Sequence, residues 1–246
     1  SFFTGAVVLL AVQAFFVFNQ RNRPSDLGLP PVEDPSEPQG GEDPGLSRKA
    51  WENVLLVGAF YFFVKFIRYS LWSWAPFFLE RNFGLKGDDA GYLSTVFDLA
   101  GVAGVVVTGL LSDKLFKSRR AGVSLMMMVT MFFSCIVLYV GGGASLTVFA
   151  VSLGLVGFTL YGPDALMSGA GAMDIGSRRG AVLAAGVING MGSIGSVVQE
   201  LIIGRLYDSG SGNLGPIFLL LLAASAAATV AIGVVWARNK LGRSDV

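Results

Sequence analysis

Six hydrophobic runs, at about 53–79, 88–111, 121–141, 145–169, 180–207 and 214–237, follow one another with only short gaps between them. Each is long enough to take a helix across a hydrocarbon core of ~30 Å, which needs about 20 apolar residues. Inside a bilayer no water satisfies backbone N–H and C=O groups, so runs of this length fold as helices that bond internally. Composition points the same way: 53% of the residues are hydrophobic, 14% are charged, and the mean hydropathy is +0.63. Ordinary soluble domains do not have that balance. The expected fold class is an all-α membrane protein.

The basic residues divide the chain into alternating sides. Arg21, Arg23, Arg48 and Lys49 precede the first complete span, and Arg81 and Lys86 lie in the next gap. Lys114, Lys117, Arg119 and Arg120 follow in the third gap, with none in Gly141 to Ser145, Arg178 and Arg179 after that, Arg205 beside the sixth, and Arg238, Lys240 and Arg243 at the end. The counts run 4, 2, 4, 0, 2, 1, 3. Under the positive-inside rule this puts the early loop, two later loops and the C-terminus in the cytoplasm, with an even number of spans between. Residues 1–18 read as the end of a helix whose beginning precedes Ser1, and so as part of a longer protein. Residues 19–50 carry Pro24, Pro30, Pro31, Pro35, Pro38 and Pro44 with acids between them, a composition that buries no core and reads as a cytoplasmic linker. Residues 51–246 read as a six-helix bundle.

Chemistry enters where charge interrupts the apolar runs. Val54 to Leu79 carries Lys65 and Arg68, and each cation near a span's centre costs roughly 2.5–3.5 kcal/mol on insertion scales. At spacing i, i+3 the two share a helix face, which Tyr61 and Trp72 extend. Such a face calls for water, a counter-ion or an anionic ligand. Arg offers a rigid donor fork for phosphate or carboxylate and Lys a mobile point charge. Snorkelling or an internal salt bridge is the structural alternative. Asp98, Asp164 and Glu200 also fall in or near spans, each with polar neighbours at helical spacing, and suit either ion pairs or substrate and proton coupling. Gly101, Gly104 and Gly109, and Gly186, Gly190, Gly192 and Gly195, read as helix-packing seams.

The sequence has no His and a single Cys, Cys135, inside an apolar run, which removes imidazole metal sites and any intrachain disulfide. No metal cluster, nucleophile paired with a base, or phosphate-cradling glycine loop outside the membrane suggests an enzyme. No cofactor is expected.

Several motifs in order carry a family likeness. They are RNRPSDLGLP (Arg21 to Pro30), FVKFIRYSLWSWAPFFLE (Phe63 to Glu80), YLSTVFDLAGVAGVVVTGLLSD (Tyr92 to Asp113), GLLSDKLFKSRR (Gly109 to Arg120) and LYGPDALMSGAGAMDIGSRRGAVLAAGVINGMGSIGS (Leu160 to Ser196). Together they resemble the C-terminal half of the organophosphate:phosphate antiporter family of the major facilitator superfamily. The second segment looks like the family's helix 7, with Arg68, Tyr69, Trp74 and Pro76 at matching places and Lys65 as in the eukaryotic sugar-phosphate exchangers. Where bacterial members commonly have Asp just before the helix 7 Trp, this chain has Ser73.

The resemblance implies the C-terminal six-helix half of a major facilitator fold, two inverted three-helix repeats preceded by the end of helix 6. An N-terminal six-helix half would be its partner, and substrate would bind between the halves. Lys65, Arg68, Tyr61, Trp72, Tyr161 and Asp164 would line the cavity, joined by an Arg from helix 1 of the other half. Asp98 and Glu200 would serve as coupling or ion-pair groups, and Asp113, Arg119 and Arg120 as a cytoplasmic gate. The implied activity is exchange of a phosphorylated small molecule, a sugar or glycerol phosphate, for inorganic phosphate by alternating access. The setting would be a lipid bilayer, the prokaryotic inner membrane or else the endoplasmic reticulum, with no nucleic-acid partner. A proton-coupled carrier of another organic anion and a membrane sugar-phosphate sensor are the competing readings.

Overall fold

The computed structural model describes residues 2–21, 24–28, 46–114, 116, 120–175, 178–210 and 212–242. The chain divides into two units, Ser1–Asp43 and Pro44–Val246. In the first, the apolar helix α1 (Phe2–Asn19) ends where the Asn19 amide donates to the Phe15 carbonyl (2.8 Å) and the Arg21 guanidinium donates to that of Phe18 (3.2 Å). A single 3-10 turn, Pro24–Leu27, follows. Most of the expected linker, 29–45, lies outside the described residues.

The second unit contains α2 (Arg48–Phe83), α3 (Gly87–Ser94), α4 (Val96–Lys114), α5 (Arg120–Gly141), α6 (Leu146–Ala165), α7 (Gly171–Ile175), α8 (Arg178–Ser209) and α9 (Gly215–Lys240). Six helical stretches are long and apolar enough to cross a membrane: Arg48–Phe83, Gly87–Lys114, Arg120–Gly141, Leu146–Gly169, Gly180–Ser209 and Gly215–Lys240. They match the six hydrophobic runs to within a few residues. No strand occurs among the described residues.

Local chemistry sets the helix ends. Ser47 caps α2, its hydroxyl accepting from the Ala50 N–H at 3.2 Å, and Gly84 closes it in the left-handed conformation (φ 71°), donating to the Glu80 carbonyl. At 36 residues α2 is about 54 Å long, well beyond the apolar core it crosses. Pro76 inside it donates no N–H, which leaves the Trp72 carbonyl without its helical partner. The α3–α4 break at Thr95 interrupts one span: the Ser94 and Thr95 hydroxyls donate to the Gly91 and Tyr92 carbonyls, each at 2.7 Å.

Packing follows a symmetric plan. The first span (α2) lies chiefly on the fifth (α8) and sixth (α9), the fourth (α6) on the second (α4) and third (α5), and the third and sixth on each other. Exchanging first with fourth, second with fifth and third with sixth leaves that plan unchanged. Two three-helix repeats related by a pseudo-two-fold axis give this result, and an odd number of spans per repeat inverts the second repeat.

Glycine makes the close approaches possible. A Cβ at Gly104 on α4 would lie 1.9 Å from the Phe158 carbonyl oxygen, one at Gly157 on α6 2.2 Å from that of Phe97, and one at Gly195 on α8 2.3 Å from that of Phe62. Gly109, Gly186 and Gly190, by contrast, face open space, so only part of each expected seam packs within this unit. Phe60, Phe78, Phe97, Phe149, Phe218, Met128 and Met131 fill the interior, and Cys135 is a free buried thiol. The second and fifth spans are the most exposed. Where α2 begins and α9 ends, Glu52 receives both Arg238 (2.9 Å) and Arg48 (3.7 Å), while Lys49 donates to the Gly242 carbonyl (3.1 Å).

Candidate functional site

The cations of α2 meet α6 inside the bundle. The Arg68 guanidinium donates to Asp164 Oδ2 in an ion pair and lies over the Tyr161 ring, 4.2 Å from its centroid. The Tyr161 hydroxyl donates in turn to Asp98 on α4. Three spans are thus tied by one polar chain: Arg68, Asp164 and Tyr161, then Asp98. The Asp164 side chain is only 6% exposed while that of Arg68 is 29% exposed, so the pair is open on the arginine side. Asp164 Oδ1 is buried and makes no hydrogen bond among the described residues, although the Tyr61 hydroxyl faces the same carboxylate and Ser168.

Lys65 has different company. Its ammonium sits 5.3 Å from the Tyr61 ring centroid and 5.2 Å from that of Tyr69, and among the described residues it forms no ion pair with a carboxylate. Cation–π contact of this kind holds a cation weakly and leaves its N–H donors free for an anion. Two glycines seat these side chains. A Cβ at Gly192 on α8 would come within 2.5 Å of the Tyr61 ring and 2.9 Å of the Lys65 stem, and one at Gly101 on α4 within 2.7 Å of the Tyr161 ring.

Asp164 sits beside a local irregularity. Pro163 precedes it, a π turn (Leu166–Ala170) follows, and the Ser168 hydroxyl donates to the Asp164 carbonyl at 2.7 Å. Single π turns re-aim side chains within an otherwise regular helix and recur at functional sites.

The remaining sequence candidates fall elsewhere. Trp72 is 57% exposed and packs edge-on against Tyr69, outside the ion cluster. Glu200 accepts from the Trp74 indole N–H at 2.9 Å, and Trp74 stacks on Phe78, so this acid belongs to a separate α2–α8 contact. Trp74 was readable as a motif residue, but nothing in its spacing announced a carboxylate partner. At the gate, Asp113 is exposed, Arg119 lies outside the described residues, and Arg120 pairs with Asp174 on α7 at 2.8 Å. Sequence reasoning missed Asp174, whose only signal was an acid close before Arg178 and Arg179. Burial raises the Asp174 carboxyl above its ordinary pKa, with Arg120 pulling the other way. Since the cost of burial outweighs the help of the partner, Asp174→Asn is expected to leave thermal stability within about 1 kcal/mol of wild type. A thermal unfolding comparison checks this, and a larger loss would mean the pair holds the α5 and α7 ends together.

Comparison with known proteins bears on the whole arrangement. Residues 1–199 match the family model described as Major Facilitator Superfamily. The chain belongs to the major facilitator superfamily. A glycerol-3-phosphate transporter of Bacillus subtilis (strain 168) is 28% identical over 97% of this chain and 56% of its own length. Sugar phosphate exchanger 3 of Gallus gallus is 31% identical over 70% of this chain and 35% of its own. A putative glycerol-3-phosphate transporter 5 of Arabidopsis thaliana is 31% identical over 66% of this chain and 34% of its own. These names agree with the resemblance to the organophosphate:phosphate antiporters. The chain spans between about a third and somewhat over half of the length of these relatives. As a major facilitator with six membrane-length helices in a three-plus-three arrangement, it is a multi-pass integral membrane protein.

Proposed function

We propose that this chain forms the C-terminal half of a transporter that exchanges an organic phosphate ester, a sugar or glycerol phosphate, for inorganic phosphate by alternating access. One observation carries the reading: two cations one turn apart in the middle of a membrane span, Lys65 and Arg68, face into the bundle, and the exposed flank of Arg68 leaves it reachable. A tetrahedral dianion suits that pair, since Arg grips two of its oxygens and Lys neutralises a third. Relatives named for phosphate esters support the choice of ligand. Binding would neutralise the cations and lower the barrier to rocking the halves past each other, with Asp113, Arg119 and Arg120 making and breaking a cytoplasmic latch. The linker and C-terminus would face the cytoplasm. A prokaryotic plasma membrane is the preferred location and the endoplasmic reticulum the alternative.

A second reading has its own observation. Three acids, Asp98, Asp164 and Glu200, stand against two cations, Lys65 and Arg68, deep in the spans, so these five groups taken together are net negative when all are ionised. That balance suits a proton-coupled carrier, or a phosphate carrier whose other half supplies further positive charge, such as the helix 1 Arg that the resemblance implies.

Full-length protein in proteoliposomes loaded with labelled phosphate separates the readings. Efflux that requires an external phosphate ester is the expected result. Uptake driven only by a proton gradient, with esters failing to compete, would replace this reading with the proton-coupled carrier. Ester binding without flux would indicate a sensor.

A further inference from the structure

Resting on the phosphate reading of this site, we propose that Asp164 is the resident counter-anion of Arg68, and that a phosphoryl group enters by taking Arg68 from it, the displaced carboxylate passing to the Tyr61 hydroxyl. The ion pair takes the Arg68 Nη1 donor, which a phosphoryl group gripped by the guanidinium fork would also need, so the two anions compete for one guanidinium. Arg68 has no second carboxylate among the described residues, and its remaining contact is the Tyr161 ring at 4.2 Å, which leaves the guanidinium plane in position when the anion changes.

The pair is also incompletely made. Asp164 is nearly buried, yet Oδ1 has no hydrogen bond among the described residues, a costly state for a carboxylate oxygen away from water. A donor stands ready on the helix that carries Arg68, because the Tyr61 hydroxyl faces this carboxylate and Ser168. The Tyr61 ring is buried, 2% exposed, and packs against Gly192, where a Cβ would come within 2.5 Å, which keeps its hydroxyl near the carboxylate. Lys65, which holds no carboxylate among the described residues, is the cation free to meet an arriving phosphate before Arg68 is released. Loading is then an exchange of anions at Arg68: the Asp164 carboxylate leaves, a phosphoryl oxygen takes its place, and no bond is made or broken.

Removal of the resident anion should therefore tighten binding, an effect that structural damage does not produce. The test is equilibrium binding of labelled inorganic phosphate to full-length protein in detergent. Asp164→Asn is expected to bind about tenfold tighter than wild type, the gain disappearing in Asp164→Asn combined with Arg68→Gln. Tyr61→Phe, which removes the alternate donor and leaves the ion pair in place, is expected to weaken phosphate binding several-fold. A folded Asp164→Asn that binds phosphate no better than wild type overturns the competition. Tyr61→Phe with wild-type affinity overturns the transfer to Tyr61, and it decides the matter if Asp164→Asn fails to fold. Wild-type protein that binds neither phosphate nor ester overturns the phosphate reading, and this proposal with it.

Discussion

Arg68→Lys is expected to reduce ester-for-phosphate exchange about a hundredfold or more while the protein stays folded, despite conserving charge. Lys has three donors on a flexible stem and no plane, so it can neither grip two phosphate oxygens at once nor lie flat on the Tyr161 ring. The shorter reach of its ammonium also loosens the link to Asp164 on α6. Interactions aimed at a charged ligand in a water-poor site are worth a few kcal/mol, and two to three decades of rate correspond to about 3–4 kcal/mol. Initial rates in proteoliposomes, with size exclusion to show intact protein, measure the effect. An Arg68→Lys variant as fast as wild type would show that only the charge matters, and would remove the bidentate role assigned to Arg68.

Gly104→Val is expected to be the most damaging substitution for the fold. The new Cβ would sit 1.9 Å from the Phe158 carbonyl oxygen, a backbone atom that no rotamer change can move, so α4 and α6 must separate. Overpacking typically costs 1–3 kcal/mol, and this case should lie at about the top of that range or beyond because the contact is backbone to backbone. Separation would also pull Tyr161 away from Asp98, breaking the polar chain from the α4 side. Gly109→Val on the same helix meets open space and is the matched control. Melting temperatures in detergent should fall steeply for the first and little for the second. Equal melting of Gly104→Val and wild type would mean that α4 and α6 can part at this seam at little cost.

The contrast between Gly104 and Gly109 illustrates what could be read beforehand. Hydropathy fixes a span by summing many residues, so all six spans were legible to within a few positions. A seam depends on which helix lies opposite, and spacing alone put Gly109, Gly186 and Gly190 in the same class as Gly104. The ion cluster behaves likewise. Lys65, Arg68 and Asp164 stand out as charges in apolar runs, but the partner of Arg68 lies 96 residues away and no local rule chooses among Asp98, Asp164 and Glu200. Trp72 was placed on the cationic face by its i+4 spacing from Arg68, whereas the carboxylate partner of Trp74, two residues on, is supplied by the arrival of α8. Asp174 went unnoticed because an acid at a helix end is unremarkable until Arg120 is seen beside it.

The symmetric packing plan has a consequence for how the protein is made. Ribosomes release spans in order, and α2, which rests mainly on α8 and α9, enters the bilayer long before either has been synthesised. Asp164 is absent as well until α6 emerges, so a nascent chain holds Lys65 and Arg68 in lipid at a cost of roughly 2.5–3.5 kcal/mol each. Insertion of the first span therefore depends on the apolar residues around the cations, Phe60 to Val64 and Phe77 to Leu79 among them, or on shelter within the insertion machinery. The same two charges that stand at the ion cluster of the folded bundle therefore weigh against delivery of α2 into lipid.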